Sequence, residues 1–165
     1  MDMAAPRVIS DFPSTRHNHR RCIREALDQA ESVCAQRGMR LTKLRRRFLE
    51  LVWSRHGPIR AYDILRLMDD EDGSTTPNTV YRALDFLLDA GLIHRLDSIN
   101  AYMGCADPVT EHTGQFLICR KCESAAEIHD PGIDLTLGRD AARLGFEPER
   151  KTVEVRGLCP SCAVG

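Results

Sequence analysis

Hydrophobic residues recur every three or four positions through the first half of the chain, which is the spacing of amphipathic helices. The first such stripe covers Cys22–Ala35. A second helix follows Thr42, a residue type that caps helix N-termini well, and it stops before Gly57 and Pro58. A short third helix is predicted over Ala61–Met68, followed by a polar loop through residue 75.

A fourth helix has the clearest boundary signals in the chain. Thr76 is a good N-cap, Pro77 suits the first helical position, and Gly91 is the expected terminating glycine. Beyond it, residues 92–96 and 100–103 have the composition of two short strands around a turn. Helices followed by a β-hairpin in this order indicate a winged helix, whose recognition helix enters the major groove of DNA.

The last third of the chain predicts further strands at Gln115–Ile118 and Thr152–Arg156, with a helix near Ile133–Leu144 between them. The fold class is therefore α+β. The composition, 42% hydrophobic and 28% charged, is that of a soluble globular protein without a membrane span or a signal peptide.

Two Cys-x-x-Cys pairs, Cys119 with Cys122 and Cys159 with Cys162, lie in this last third. Four thiolates in paired spacing form a complete ligand set for one structural, tetrahedral Zn²⁺ ion. The competing interpretation, a redox pair, is weaker because such pairs usually occur singly beside a βαβ pattern. Seven cysteines without a secretion signal also indicate a cytoplasmic location, where thiols stay reduced.

Charge is distributed unevenly, although the net charge is only −1. Residues 16–66 contain thirteen Arg or Lys against five Asp or Glu, whereas residues 67–165 contain nine against seventeen. A basic front half favours a polyanion as partner, although solvated helix faces also carry arginines.

The fourth helix offers the side chains that base recognition needs. Arg82 can contact a guanine edge or a phosphate, and Tyr62 on the third helix can contact a thymine methyl or the backbone. The alternative is that Tyr81 packs in the core and Arg82 pairs with Asp85. Within a winged helix we favour DNA contact. The predicted DNA-binding residues are Lys43, Arg60, Tyr62, Asn78, Thr79, Tyr81 and Arg82, with phosphate contacts from Lys43 and from some of Arg45, Arg46, Arg47 and Arg60.

The chain resembles the ferric uptake regulator (Fur) superfamily, and within it the zinc uptake regulators (Zur). The residues that carry the resemblance are Arg40-Leu41-Thr42, Ala61-Tyr62-Asp63-Ile64-Leu65, Pro77-Asn78-Thr79-Val80-Tyr81-Arg82-Ala83-Leu84-Asp85-Phe86-Leu87 and the two Cys-x-x-Cys pairs. Two features depart from the family pattern: Lys43, where proline is frequent, and an N-terminal extension that contains His17 and His19.

The polar N-terminal extension at 1–19 is expected to be disordered. The resemblance implies a homodimeric metal-sensing repressor with a winged-helix DNA-binding domain at 20–103, a hinge at 104–114 and a zinc-stabilised α/β dimerisation domain at 115–165. It also implies a regulatory zinc site formed by His94, Cys105, His112 and Glu127, with Glu111 and His129 as substitutes. A thiolate such as Cys105 favours zinc over the harder Fe²⁺ and Mn²⁺ ions.

The expected function is therefore zinc-responsive transcriptional regulation. A dimer with two Zn²⁺ ions per chain would bind double-stranded operator DNA and repress genes of zinc uptake and homeostasis. Two alternatives stay open: a metal or peroxide sensor of the same superfamily, and a zinc-ribbon adaptor that does not bind DNA. A zinc hydrolase is disfavoured, because the sequence has no His-Glu-x-x-His or comparable motif.

Overall fold

The structure, a computed structural model, describes residues 5–14, 18–55 and 57–164. Within these ranges the helices are α1 (His19–Gln36), α2 (Lys43–Trp53), α3 (Ala61–Asp72), α4 (Pro77–Asp89), α5 (Pro131–Arg143) and α6 (Pro160–Ala163). The strands are β1 (Arg7–Ser10), β2 (Ile93–Leu96), β3 (Ala101–Gly104), β4 (Gly114–Cys119), β5 (Ala125–His129) and β6 (Thr152–Gly157). None of the described helices is long and apolar enough to cross a membrane.

The chain divides into two compact units. The helical unit spans Pro13–Thr110, and the sheet unit combines the segment up to Phe12 with the segment from Glu111 onward. The boundary at residues 110 and 111 falls inside the stretch 104–114 that the sequence predicts as a hinge.

The helical unit is built on the apolar faces of its four helices. Thr42 and Thr76 cap α2 and α4, each accepting a hydrogen bond from an amide three residues later. Phe48, Ile64 and Leu84, contributed by α2, α3 and α4, are completely or almost completely buried. The antiparallel hairpin of β2 and β3 follows α4, and an isolated bridge between Ile59 and Tyr102 adds a third short strand segment to it. This arrangement is the predicted winged helix.

The sheet unit contains a four-stranded sheet in the order β1-β5-β4-β6. β4 and β5 form an antiparallel hairpin, whereas β6 returns after α5 and pairs with β4 in parallel. α5 begins at Pro131, and the Asp130 side chain caps it by accepting from the Gly132 amide at 2.8 Å.

Two described segments differ from the expectation of a disordered extension over residues 1–19. Arg7–Ser10 form β1, and α1 begins at His19. The His19 ring contributes to this start, because its Nε2 donates to the Ser54 carbonyl at 2.9 Å. His17 lies outside the described residues. The predicted loop after Met68 also begins later, since α3 continues to Asp72 and ends at Gly73, which has a left-handed φ of 68°.

Candidate metal centres and nucleic-acid interface

The four thiols of the Cys-x-x-Cys pairs meet at one end of the sheet unit because β4 and β6 are parallel. Cys119 ends β4 and pairs with Gly157, which ends β6. The Arg120 amide then donates to the Gly157 carbonyl at 2.9 Å, so the segments that follow β4 and β6 leave the sheet side by side. Cys122 lies on the turn after β4, and Cys162 lies on α6. The sulfurs of the four cysteines are all within 4.8 Å of one another.

This spacing of sulfur atoms fits a tetrahedral zinc ion. The Sγ atoms of Cys122 and Cys159 are 3.7 Å apart. Sulfurs held at ~2.3 Å from one zinc ion in a tetrahedron are separated by about 3.8 Å. A disulfide bond requires about 2.05 Å, and none of the seven cysteines, each among the described residues, forms a disulfide. The convergence of four sulfurs matches the predicted metal site better than a redox pair, which needs only two.

The backbone around this cluster favours thiolates. Amides of Cys159 and Cys122 lower the pKa of the Cys119 thiol to about 6. The Cys162 amide likewise lowers the pKa of Cys159. The Cys162 thiol donates a hydrogen bond to the Cys159 sulfur, and this bond together with burial raises the pKa of Cys162 to about 12. A divalent cation would favour the thiolate form of every coordinating cysteine, because its charge stabilises thiolates.

His112 and Glu127 form a buried pair in the sheet unit. Glu127 lies on β5 opposite Phe116 of β4, and His112 lies two residues before β4 begins. The His112 Nε2 is 2.7 Å from the Glu127 Oε1, and the two side chains are 3% and 0% exposed. Burial of a carboxylate is costly unless it is paired or bound to a metal. The pair offers one imidazole nitrogen and one carboxylate oxygen as ligands.

Polar contacts that the sequence analysis did not identify fix the backbone around this pair. Gln115, which is 1% exposed, donates through Nε2 to the Asp130 carbonyl at 3.0 Å and accepts from the Asp130 amide at 2.9 Å. The Thr113 hydroxyl donates to Asp134 at 2.6 Å, and Lys151 pairs with the same carboxylate. Lys151 and Thr113 lower the Asp134 pKa. Only the fold could reveal these contacts, because their members are far apart in sequence.

His94 and Cys105 lie together on the hairpin of the helical unit. His94 of β2 pairs with Met103 of β3. β3 ends at Gly104, and Cys105 is the next residue. The Cys105 amide donates to the Leu92 carbonyl at 2.9 Å, which extends the backbone pairing to the cysteine. The ligand atoms of His94 and Cys105 are within 4.8 Å of each other, and Cys105 is 4% exposed. The hairpin thus offers one imidazole and one thiol.

The outer faces of α3 and α4 carry the residues predicted to contact DNA. Burial of one side of α4 leaves Asn78, Tyr81 and Arg82 exposed. Tyr62 of α3 is 67% exposed and Tyr81 is 51% exposed. Tyr81 therefore does not fill the core, contrary to the alternative considered from sequence. Thr79 differs from the others: it is half-buried, and its hydroxyl is 3.0 Å from that of the capping Thr76.

The arginines of α2 have internal partners. Arg45 donates to the Arg40 carbonyl at 2.7 Å, and its guanidinium lies 3.7 Å from the centre of the Phe86 ring. Arg46 pairs with Glu31, and Arg47 pairs with Glu50 and Glu71. These contacts hold α1, α2, α3 and α4 together. Of the basic residues predicted to contact phosphates, Lys43 and Arg60 are the exposed ones.

A family model and a sequence relative agree on what the chain is similar to. The model of the ferric uptake regulator family matches residues 36–156. The chain is 41% identical over 140 residues to the zinc uptake regulation protein of Escherichia coli (strain K12), covering 84% of this chain and 81% of that protein.

Two solved structures extend the likeness to the fold. One is described as a zinc uptake regulator complexed with zinc and DNA, with a TM-score of 0.83 and 38% identity over 86% of this chain and 95% of the other. The second, described as holo XcZur, has a TM-score of 0.79 and 39% identity over 86% of this chain and 99% of the other.

Proposed function

Because the chain belongs to the ferric uptake regulator family, we propose that it is a zinc-responsive transcriptional repressor. In this proposal a zinc-loaded dimer binds operator DNA in the cytoplasm and represses genes of zinc uptake and homeostasis. Members of this family are transcription regulators rather than enzymes.

The observation that carries the choice of zinc is the buried thiol of Cys105 beside His94. Iron and manganese prefer oxygen and imidazole ligands, whereas a thiolate favours zinc. This supports a zinc sensor over the alternative of an iron-dependent metal or peroxide sensor. The exposed α4 face supports DNA binding over the alternative of a zinc-ribbon adaptor, which has no need of a winged helix.

We propose two zinc ions per chain with different roles. Cys119, Cys122, Cys159 and Cys162 would hold a structural ion, and all four belong to the sheet unit. His94 and Cys105 from the helical unit would share a regulatory ion with His112 and Glu127 from the sheet unit. Such a set of one thiol, two imidazoles and one carboxylate is four-coordinate and leaves no open position for a substrate.

The proposed mechanism follows from which unit supplies each ligand. A bound regulatory ion would supply a positive charge that both ligand pairs could coordinate. His94 and Cys105 would then restrain the hairpin that follows α4, while His112 and Glu127 would restrain the segment before β4 and the middle of β5. In a dimer, these restraints would select the spacing of the two recognition helices that matches successive major grooves. Zinc and DNA would thereby increase each other's affinity.

The surface of the sheet unit supports dimerisation. β6 is an edge strand, and edge strands left open are prone to pair with another chain. Large apolar side chains are exposed on and around α5 and β6, namely Leu135, Leu137, Leu144, Phe146, Val155 and Leu158. Apolar patches of this kind mark protein interfaces. We propose that a second copy of the chain covers them about a two-fold axis.

The experiment that tests the function measures zinc and DNA binding together. A DNA duplex is selected from a random library with zinc-loaded protein, and its fluorescence anisotropy is followed as buffered free zinc is raised. We expect two classes of zinc site per chain. Filling the weaker class should increase DNA affinity by about 5- to 150-fold. DNA affinity that follows Fe²⁺ or Mn²⁺ instead of zinc, or that ignores the weaker site, would contradict the proposal.

A further inference from the structure

A strand from the N-terminal segment lies directly beside the strand that carries Glu127. β1 pairs antiparallel with β5, placing Arg7 opposite His129 and Val8 opposite Ile128. A bulge follows, and Ser10 then pairs with Glu127 itself. The order β1-β5-β4-β6 means that β1 covers an edge of β5 that would otherwise be open.

The position of β5 affects Glu127 and His112, the two side chains of the sheet unit proposed to bind the regulatory ion. Glu127 provides one of them, and its carboxylate meets the imidazole of His112 at 2.7 Å. His129 lies two residues further along the same strand and therefore on the same face. The His129 ring packs edge-on to the His112 ring, with centroids 6.2 Å apart. A shift of β5 would therefore disturb Glu127 directly and His112 through both contacts.

β1 buries little apolar side-chain surface. It has four residues, Val8 is 63% exposed, and Ile9 and Ser10 are only half-buried. Short edge strands with little buried apolar surface open at low free-energy cost. The docking of β1 is thus weak enough to respond to a ligand that stabilises β5.

Docking of β1 also changes how the units are connected. The chain passes from the sheet unit to the helical unit after Phe12, and it returns after Thr110. With β1 in place, the helical unit is tethered to the sheet unit through both of its ends. With β1 released, only the connection at residues 110 and 111 remains.

We propose that β1 is a positioning strand for the regulatory zinc site. Its docking holds β5 so that Glu127 and His112 keep the geometry of ligands, and zinc bound through Glu127 favours the docked strand in return. The coupling is reciprocal, because any ligand that binds the docked form better must itself bind more tightly when the strand is docked. This inference rests on the proposed function, since it presupposes that zinc binds through Glu127.

The test compares zinc affinities of full-length variants with the Cys₄ site kept loaded. Val8→Pro combined with Ile9→Pro removes two consecutive amide donors from a strand of four residues, which weakens its pairing with β5 because proline cannot donate to the ladder. Deletion of residues 1–12 removes the strand entirely. Val8→Thr is the matched control. Val8 is exposed, and threonine both keeps the backbone amide and is a residue type that favours strands.

Competition with a chromophoric zinc chelator gives the affinity of the weaker zinc site. We expect both β1 variants to lose about 5-fold or more in that affinity, while the Cys₄ zinc and the Val8→Thr protein are unchanged. Hydrogen exchange with only the Cys₄ site loaded provides a second readout, in which the amides of residues 126–129 should exchange faster in the proline variant. Unchanged zinc affinity of the weaker site in both β1 variants would overturn the proposal.

The wild-type protein separates this inference from the proposed function. A wild-type chain that binds zinc only at the Cys₄ cluster contradicts the regulatory site itself. A wild-type chain with a second, DNA-coupled zinc whose affinity ignores β1 contradicts the positioning strand alone.

Discussion

The indole of Trp53 rests directly on the backbone of Gly104. A Cβ atom built on Gly104 would lie 2.1 Å from Cε2 of the indole and 2.3 Å from its Nε1. Any side chain at this position must therefore displace either the ring of α2 or the end of β3. Because the next residue is Cys105, this contact restrains the backbone that carries the Cys105 thiol.

Gly104→Ala should therefore destabilise the helical unit. Overpacking of this kind typically costs about 1–3 kcal/mol. Trp53 is the single tryptophan of the chain, so its fluorescence reports urea unfolding of this unit. Gly57→Ala is the matched control, because a Cβ at Gly57 meets nothing within 4 Å. Equal free energies of unfolding for the two variants would show that the indole is not constrained as described.

Cys119→Ser should remove the structural zinc. A tetrahedral thiolate site cannot keep its geometry with one ligand missing, so zinc content should fall by about one ion per chain and the sheet unit should unfold more easily. Metal analysis and thermal unfolding measure the two effects. Cys22→Ser, a change at a half-buried position of α1 outside both ligand sets, should leave both values unaltered. Full zinc content in Cys119→Ser would exclude this residue as a ligand.

Arg82→Ala and Lys43→Ala should differ in the kind of DNA affinity that they lose. Loss of a base contact at Arg82 should cost about 1–3 kcal/mol and relax specificity at one position of the operator. Loss of a phosphate contact at Lys43 should weaken binding to all DNA sequences alike. It should also reduce the slope of log binding constant against log salt concentration by about one. Anisotropy titrations on matched and mutated duplexes distinguish the two. An Arg82→Ala protein with native affinity and specificity would mean that α4 is not the recognition helix.

Val155→Asp should weaken the dimer. Val155 lies on the edge strand β6 and is 52% exposed, so in the proposed dimer its replacement would bury a carboxylate among the apolar side chains of the interface. We expect the dimer dissociation constant to rise by about tenfold or more, as measured by sedimentation equilibrium. Val109→Asp, at a 64% exposed position of the helical unit, serves as the control. A native dissociation constant for Val155→Asp would place the interface elsewhere.

The helical unit could be predicted well from sequence because its signals are local. Helical periodicity, the caps at Thr42 and Thr76, and Pro77 at the first position of α4 each specify structure within a few residues. The convergence of the four cysteines could likewise be expected, since paired Cys-x-x-Cys spacing is typical of four-thiolate zinc sites.

What the sequence did not reveal depends on contacts between distant segments. β1 is too short for a periodic pattern, and its existence depends on the open edge of β5. The hydrogen bonds that join Gln115 to Asp130 close across the sheet unit, where a lone glutamine in the sequence gives no signal. The arginines of α2 appeared available for DNA, but their acidic partners Glu31 and Glu71 lie on other helices.

The most direct test of the account is the zinc dependence of DNA binding by Cys105→Ser. This change removes the soft ligand with little change in volume, so the protein should stay folded and dimeric with about one zinc per chain in the Cys₄ site. Its anisotropy titration should show no gain in DNA affinity as free zinc rises, whereas the Cys22→Ser control should tighten like the wild type. A Cys105→Ser protein that still tightens on DNA with the original zinc dependence would contradict the regulatory site on which the account depends.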